Sequence, residues 1–140
     1  MREILFRGKR LDNGEWVVGN LFIPDREDTP TQICIGTNVV RITYDVDPET
    51  VGQYIGCWDK NDKKIFEGDV IERSLLYPMK ERCVIEYDGA SFIYSTPKDY
   101  RLDVGDSIDD HEYGIDVSCY EIIGNIHDNP ELMPEKLNHA

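Results

Sequence analysis

The chain has 140 residues and a formal net charge of −13, from 15 basic and 28 acidic side chains. A field of that sign repels phosphate backbones and anionic lipid, so direct nucleic-acid binding and attachment to an acidic membrane are both disfavoured. The hydrophobic fraction is 40%, with two Trp, eight Tyr and four Phe, which is enough for a packed core and speaks against disorder.

In chain order, EILFR (3–7) reads as a strand and LDNG as a turn in which Asn13 and Gly14 can take positive φ. EWVVGNLFI (15–23) returns as a second strand, with Gly19 marking a bulge or a close-packing site. Two prolines and three acids make 24–31 a loop. Short strands follow around QICI and NVVRITY, joined by Gly36 to Asn38. Asp47-Pro48-Glu49-Thr50 has the chemistry of a helix start: a side-chain acceptor, a proline suited to the first helical position, and an acid at the positive end of the dipole. The apolar continuation is short, so one helical turn is expected, delivering the chain into VGQYIGCW.

The stretch DKNDKKIFEGDVIE (59–72) sets turn formers and charges against apolar pairs. Asn61-Asp62 closes a tight turn, Lys63 to Phe66 forms a short return strand, and Glu67-Gly68-Asp69 forms a second turn. Gly68 supplies positive φ, and the Asp69 carboxylate accepts backbone N–H bonds. The competing reading takes Glu67 and Asp69 as paired catalytic carboxylates, a geometry glycosidases need at about 5 to 9.5 Å. GDVIERSLLY is a strand ended by Pro78, and CVIEYDGASFIYS is a hairpin around Asp88-Gly89. Residues 98–116 are rich in acids and turn formers, and DVSCYEIIGNIH is the last strand. Asn129-Pro130-Glu131 starts a short terminal helix that Pro134 ends.

No segment keeps a 3.6-residue apolar period over a dozen positions, and many short strands point to a small barrel or sandwich. DNGEWVVGNLF and NDKKIFEGDVI, offset by 49 residues, share a pattern of turn, apolar pair, Gly, then apolar pair, which suggests one sheet corner used twice. One domain, 1–140, is expected, with sub-lobes 1–50 and 51–140. Cys34, Cys57, Cys83 and Cys119 form no C-x-x-C pair and sit in apolar stretches, so buried thiols in a reducing compartment are expected. Met1 is followed by REILFRGKR rather than an apolar leader, and no run approaches the roughly 20 residues of a membrane span. A cytoplasmic location follows as the expectation.

VGQYIGCWDKNDKKIFEGDVIE, followed far downstream by YEIIGNIHDNPELM, resembles the YopX protein family, and MREILFRGKRLDNGEWVVGNL is similar to that family's N-terminal hairpin. The blocks cover about half the chain, in the family's order. Ile55 stands where the family often has Thr, Cys57 and Trp58 replace its Leu-Lys, and Asp62 replaces its Gly. The resemblance implies a mainly β fold: a small SH3-like barrel with an N-terminal β-hairpin extension, one or two short helical turns, and a phage or prophage origin. It carries over no catalytic residues. The matching positions Gly52, Gly56, Asp59, Gly68, Asp69, Gly124 and Asn125, with Asn129 and Pro130, are residue types that bend the main chain.

Other chemistry is thin. His111 lies beside Asp109, Asp110 and Glu112 without EF-hand spacing, and His127 and His139 have no partner motif. There is no G-x-S-x-G elbow and no phosphate-cradling glycine loop. Tyr87, Phe92, Tyr94 and Tyr100 cluster around the Asp88-Gly89 hairpin as candidate contact aromatics. The expectation is a non-enzymatic phage accessory protein with no cofactor and no metal. It would act through a protein partner, a homo-oligomer among the candidates, with no nucleic acid and no membrane. The alternative is an acidic DNA mimic inhibiting a host nucleic-acid enzyme. A small-barrel nucleic-acid binder and a hydrolase rank below these.

Overall fold

Alternating apolar and polar residues, broken every few positions by Gly, Pro, Asn or Asp, leave this chain little option but short strands. A computed structural model describes residues 3–37, 39–74, 80–87 and 118–132, and the backbone alone of 92–95 and 117. The fold is mainly β and antiparallel. Its strands are β1 (Phe6–Lys9), β2 (Trp16–Phe22), β3 (Gln32–Gly36), β4 (Arg41–Asp45), β5 (Gly52–Trp58), β6 (Lys64–Phe66), β7 (Asp69–Ser74), β8 (Lys80–Tyr87), β9 (Phe92–Ser95) and β10 (Glu121–Asn125). Helix among the described residues is limited to single 3-10 turns at Pro48–Thr50, Val117–Cys119 and Pro130–Leu132. No helix among them is long and apolar enough to cross a membrane. The chain divides into two compact units, Met1–Gly56 and Cys57–Ala140.

In the first unit the strands neighbour one another in the order β4-β3-β2-β1-β5. Phe6 pairs with Gly19, Gly8 with Val17, Leu21 with Ile33 and Ile33 with Tyr44. Because side chains alternate, this register collects those residues on one face. Ile33 and Val46 are fully buried there. The opposite face carries Arg7 and Lys9 against Trp16, with the guanidinium carbon 4.7 Å and the ammonium 5.6 Å from the ring centre. The sheet coils enough for Arg10 and Val46 to meet in an isolated bridge. There the Leu11 N–H donates to the Asp45 carbonyl and the Asp47 N–H to the Lys9 carbonyl. The strand orders are nonetheless open, with no closed barrel among the described strands.

Local chemistry explains the connections. Between β1 and β2 only Gly14 takes positive φ, at 72°. Asn13 acts through its side chain, whose Oδ1 accepts the Glu15 N–H at 3.0 Å. Asp47 caps the first 3-10 turn, accepting the Glu49 N–H at 3.0 Å, with Pro48 as the turn's first residue. The Thr50 hydroxyl ties that turn down, donating to the Asp47 carbonyl and accepting the Lys9 N–H.

The expectation of one corner used twice is corrected here. Gly68 is a corner with φ 93°, whereas Gly19 lies inside β2, paired with Phe6. Gly19 is required by a neighbour rather than by a bend: a Cβ there would stand 2.4 Å from the Cys34 carbonyl oxygen. Gly19→Ala is therefore expected to destabilise by about 2 kcal/mol through overpacking against backbone. Gly14→Ala, where nothing lies within 4 Å, carries only the left-handed backbone strain of about 1 kcal/mol. Urea midpoints of the two variants check the difference.

In the second unit the order is β10-β7-β8-β9. Val70 pairs with Val84, Ile71 with Cys83 and with Ile122, and Arg73 with Glu81; the β7–β10 register shifts between Ile122 and Gly124. Val70 and Val84 lie on one face of this pair of strands and Ile71, Cys83 and Ile85 on the other, and all five are buried. The central strands are thus covered on both sides. DVSCYEIIGNIH is not one strand: Val117–Cys119 is a 3-10 turn and β10 begins only at Glu121. The Tyr120 carbonyl accepts the Lys60 N–H instead of a ladder bond, and its ring is fully buried. In EILFR the strand likewise begins only at Phe6. Pro78, the Asp88-Gly89 turn, residues 98–116 and Pro134 lie outside the described residues.

Candidate functional site

The site is built up from the corner that follows β5. Asp59 is 3% exposed, and its carboxylate is filled by main-chain donors. Oδ1 accepts the Asn61 N–H at 2.8 Å and the Lys63 N–H at 2.9 Å, and Oδ2 accepts the Ile122 N–H at 3.0 Å. The Asp59 N–H donates to the Lys63 carbonyl at 2.8 Å, closing the turn. Asp62, with φ 61°, is the one non-glycine residue of positive φ among the described residues. Burial pushes the Asp59 carboxyl up, but the three amides and the Lys63 charge outweigh it, and its pKa falls below the ordinary value.

The second corner, Glu67-Gly68, is spanned by Asp69. This carboxylate is 1% exposed and accepts the Phe66 N–H at 2.7 Å. Gly68 donates its N–H to the Ile85 carbonyl and accepts the Ile126 N–H, both at 2.9 Å. Glu67 is half-buried. Asn125 makes a third such device: its Oδ1 accepts the His127 and Asp128 N–H groups, at 3.0 and 2.9 Å. The Asn129 side chain accepts the Asn125 N–H at 3.3 Å, and Pro130 opens the following 3-10 turn. A Cβ on Gly124 would stand 2.4 Å from the Asn129 Oδ1, which explains the glycine. Gly52 begins β5 opposite Arg7, and Gly56 takes φ 88° within it. His127 is half-buried at the end of the sheet. His111, Asp109, Asp110, Glu112, His139 and Tyr100 lie outside the described residues. No group of three or more His, Cys, Asp or Glu among the described residues could hold a metal ion.

A second cluster was not visible in the sequence. Glu81, 2% exposed, accepts from Arg73 Nε at 2.6 Å and from the Tyr120 hydroxyl at 3.0 Å. The Arg73 guanidinium also lies 5.2 Å from the Tyr120 ring centre. Burial, the nearby Cys83 and the Glu81 charge push the Tyr120 phenol far up, so it remains a donor. On the other face of the strands Arg82 holds Glu72 at 2.9 Å and donates to the Leu132 carbonyl. Glu72 stands directly opposite Glu121, and Lys80 and Lys60 offset that like-charge pair. The signal available in the sequence was Glu81 at the head of the alternation Glu81, Cys83, Ile85, a charge in line with core residues.

The expectation of four buried thiols is corrected as well. Cys83 is fully buried, Cys34 and Cys57 are half-buried, and Cys119 is exposed because it ends a surface 3-10 turn. Burial and then the Glu81 charge push the Cys83 thiol up to about 12. In the folded protein at pH 8, Cys119 is expected to react with a thiol reagent at least tenfold faster than Cys83, whose thiolate is scarce and shielded. Peptide mapping of an alkylation time course reads this directly.

Of the candidate aromatics, Tyr87 is 51% exposed at the end of β8; Trp58 in β5, not among those candidates, is 52% exposed. Phe92 pairs with Tyr87 and Tyr94 with Ile85 in the β8–β9 ladder.

A family model described as YopX protein matches residues 5–134. The crystal structure of protein EF1440 from Enterococcus faecalis aligns with a TM-score of 0.53 at 20% identity, covering 94% of this chain and 99% of that one. At that identity the likeness is one of fold alone. No curated protein matches the chain.

Proposed function

Because the chain belongs to the YopX protein family, we propose that it is a non-enzymatic, protein-binding accessory factor of phage or prophage origin, working in the bacterial cytoplasm. One observation carries this reading. Large apolar side chains, among them Phe22, Ile23, Val39, Val40, Ile42, Trp58 and Tyr87, stand exposed on an otherwise strongly charged chain. Exposed large apolar side chains on a charged surface are candidate points of protein contact. The buried acids, by contrast, are engaged: Asp59 and Asp69 by main-chain amides and Glu81 by Arg73 and Tyr120. An SH3-like reading of the second unit fits the same function. Its support is a meander of β7, β8 and β9, with a 3-10 turn before a last strand that returns beside β7.

The test is affinity capture from bacterial lysate at low and high salt, with Trp58→Ala and Tyr87→Ala beside the native protein. A partner retained at high salt and weakened by these substitutions is expected, since apolar contacts are not screened. Recovery of nothing at either salt sinks the reading.

A further inference from the structure

The first unit's sheet ends in a largely free edge. β4 is the last strand in its order, met on its outer side only at its Asp45 end, by Leu11. The β3–β4 ladder is bracketed by bonds from the Thr37 N–H to the Val40 carbonyl, at 2.7 Å, and from the Val46 N–H to the Thr31 carbonyl, at 2.9 Å. In an antiparallel ladder the bonding residues alternate. Val40, Ile42, Tyr44 and Val46 therefore turn their main-chain groups towards β3, and Arg41, Thr43 and Asp45 turn theirs outward. The Asp45 carbonyl is taken by the Leu11 N–H at 3.0 Å. The N–H and C=O groups of Arg41 and Thr43, which no described residue bonds, are thus open along this edge.

The side chains on this portion are those of an unfinished interface. Val39 is 92% exposed, Val40 70% and Ile42 55%. Natural sheets blunt a free edge with charges, Pro or a bulge, and only Arg41 does so here. An open cleft of about 470 Å³, lined by Arg10, Leu11, Asp12, Thr43, Tyr44 and Asp45, runs beside it. Arg10 forms one wall, paired with Asp12 and stacked 4.6 Å from the Tyr44 ring centre.

We propose that a second copy of this chain docks on this edge, its β4 antiparallel to the first about a two-fold axis at Ile42. The proposal rests on the reading of the chain as a binding protein and names its partner and surface. This register pairs the outward main-chain groups of Arg41 and Thr43 in both copies. Arg41 of each copy exchanges both main-chain bonds with Thr43 of the other, giving four bonds across the axis. A two-fold at Thr43 instead would set Arg41 against Asp45, whose place along the edge Leu11 already fills. The side chains match in the same register. Ile42 faces Ile42, and Val40 faces Tyr44 at the mouth of the cleft. Arg41 lies diagonally from Asp45 of the second copy, so a carboxylate is within its reach. No two charges of one sign stand directly opposite. That matters for chains of net charge −13, which can approach closely only where charge is locally balanced. The join is isologous, so it closes at two copies.

Light scattering on the full chain is expected to give twice the monomer mass of 16.2 kDa. Ile42→Cys, mildly oxidised, is expected to form a disulfide linking position 42 to position 42. Directly opposed residues of this kind have Cα atoms about 4.5 Å apart, inside the disulfide range. Thr43→Cys, which faces Arg41 instead, is expected not to link to itself. Ile42→Lys sets two ammonium groups face to face and should yield a monomer with unchanged far-ultraviolet circular dichroism. Thr43→Pro should do the same, because the lost N–H points away from β3. A native chain that stays monomeric at its solubility limit overturns the proposal. So does a folded Ile42→Lys variant that keeps the dimer mass, or a Thr43→Cys variant that links to itself while Ile42→Cys does not. Lysate capture is scored separately. A foreign partner recovered by monomeric Ile42→Lys leaves the binding function standing without the dimer. A dimer that captures nothing leaves the edge pairing standing without that function.

Discussion

Asp59→Ala is expected to lower the free energy of unfolding by about 4 kcal/mol, among the largest effects of any single substitution in this chain. The carboxylate accepts from Asn61, Lys63 and Ile122, so truncation leaves three amides without their acceptor in a site almost closed to water. Each hydrogen bond to a charged group contributes about 1.5 to 3 kcal/mol, and partial access of water to the turn holds the sum below three times that. Asp59→Asn keeps acceptor oxygen but loses the charge, and about 2 kcal/mol is expected. Urea titrations at pH 7 give both numbers. The sign of the pH dependence is fixed by the depressed pKa of Asp59. Its contribution is complete above the unfolded-state value of about 3.9 and disappears as pH falls through the lower folded value. The gap between native protein and Asp59→Asn should therefore narrow on acidification below about pH 4. A gap that widens there would mean that the amides do not prefer the ionised carboxylate.

Glu81→Ala should cost about 3 kcal/mol, for a different reason. Arg73 and the Tyr120 hydroxyl both point at Glu81, and its removal strands a cation and a buried donor. Breaking a buried pair from one side costs about 3 to 5 kcal/mol; the lower end applies because the Arg73 side chain is 34% exposed. Pairing the substitution with Arg73→Met should recover part of the loss, since an apolar side chain needs no counter-charge. Tyr120→Phe, which removes one donor and keeps the ring, should cost about 1 kcal/mol. A cycle built from Arg73→Met and Glu81→Ala measures the coupling, and strict additivity would show that the ion pair contributes nothing.

These two sites divide what could and could not be read from the sequence. The Asp59 turn is local. Asn61, Asp62 and the return to Ile65 lie within a few residues, and their preference for tight turns is intrinsic. The same holds for Asp47 and Pro48, whose capping chemistry is complete within four positions. The bond from Asp59 to Ile122 was beyond reach, because it joins residues 63 positions apart. Glu81, Arg73 and Tyr120 are wholly of that second kind: the β7–β8 register brings two of them together, and the chain supplies the third 39 residues later. Gly19 and Gly68 teach the same lesson in reverse. Similar strings of residues surround them, yet one glycine answers to a carbonyl across the sheet and the other to a bend in its own backbone. The last strand begins only after Tyr120, whose carbonyl is taken by the Lys60 N–H of the distant turn. Strand membership was legible where alternation was regular, as in β2, and failed at ends set by tertiary packing, as at the start of β8, which runs from Lys80 rather than Cys83.

The placement of the two indoles has a practical consequence. Trp16 lies in one compact unit beneath Arg7 and Lys9, and Trp58 lies in the other, half open to solvent. With one tryptophan replaced by Phe at a time, emission spectra would follow each unit separately through a thermal ramp. Coincident curves would mean that the units melt as one cooperative body, and separated curves that either can persist after the other is lost.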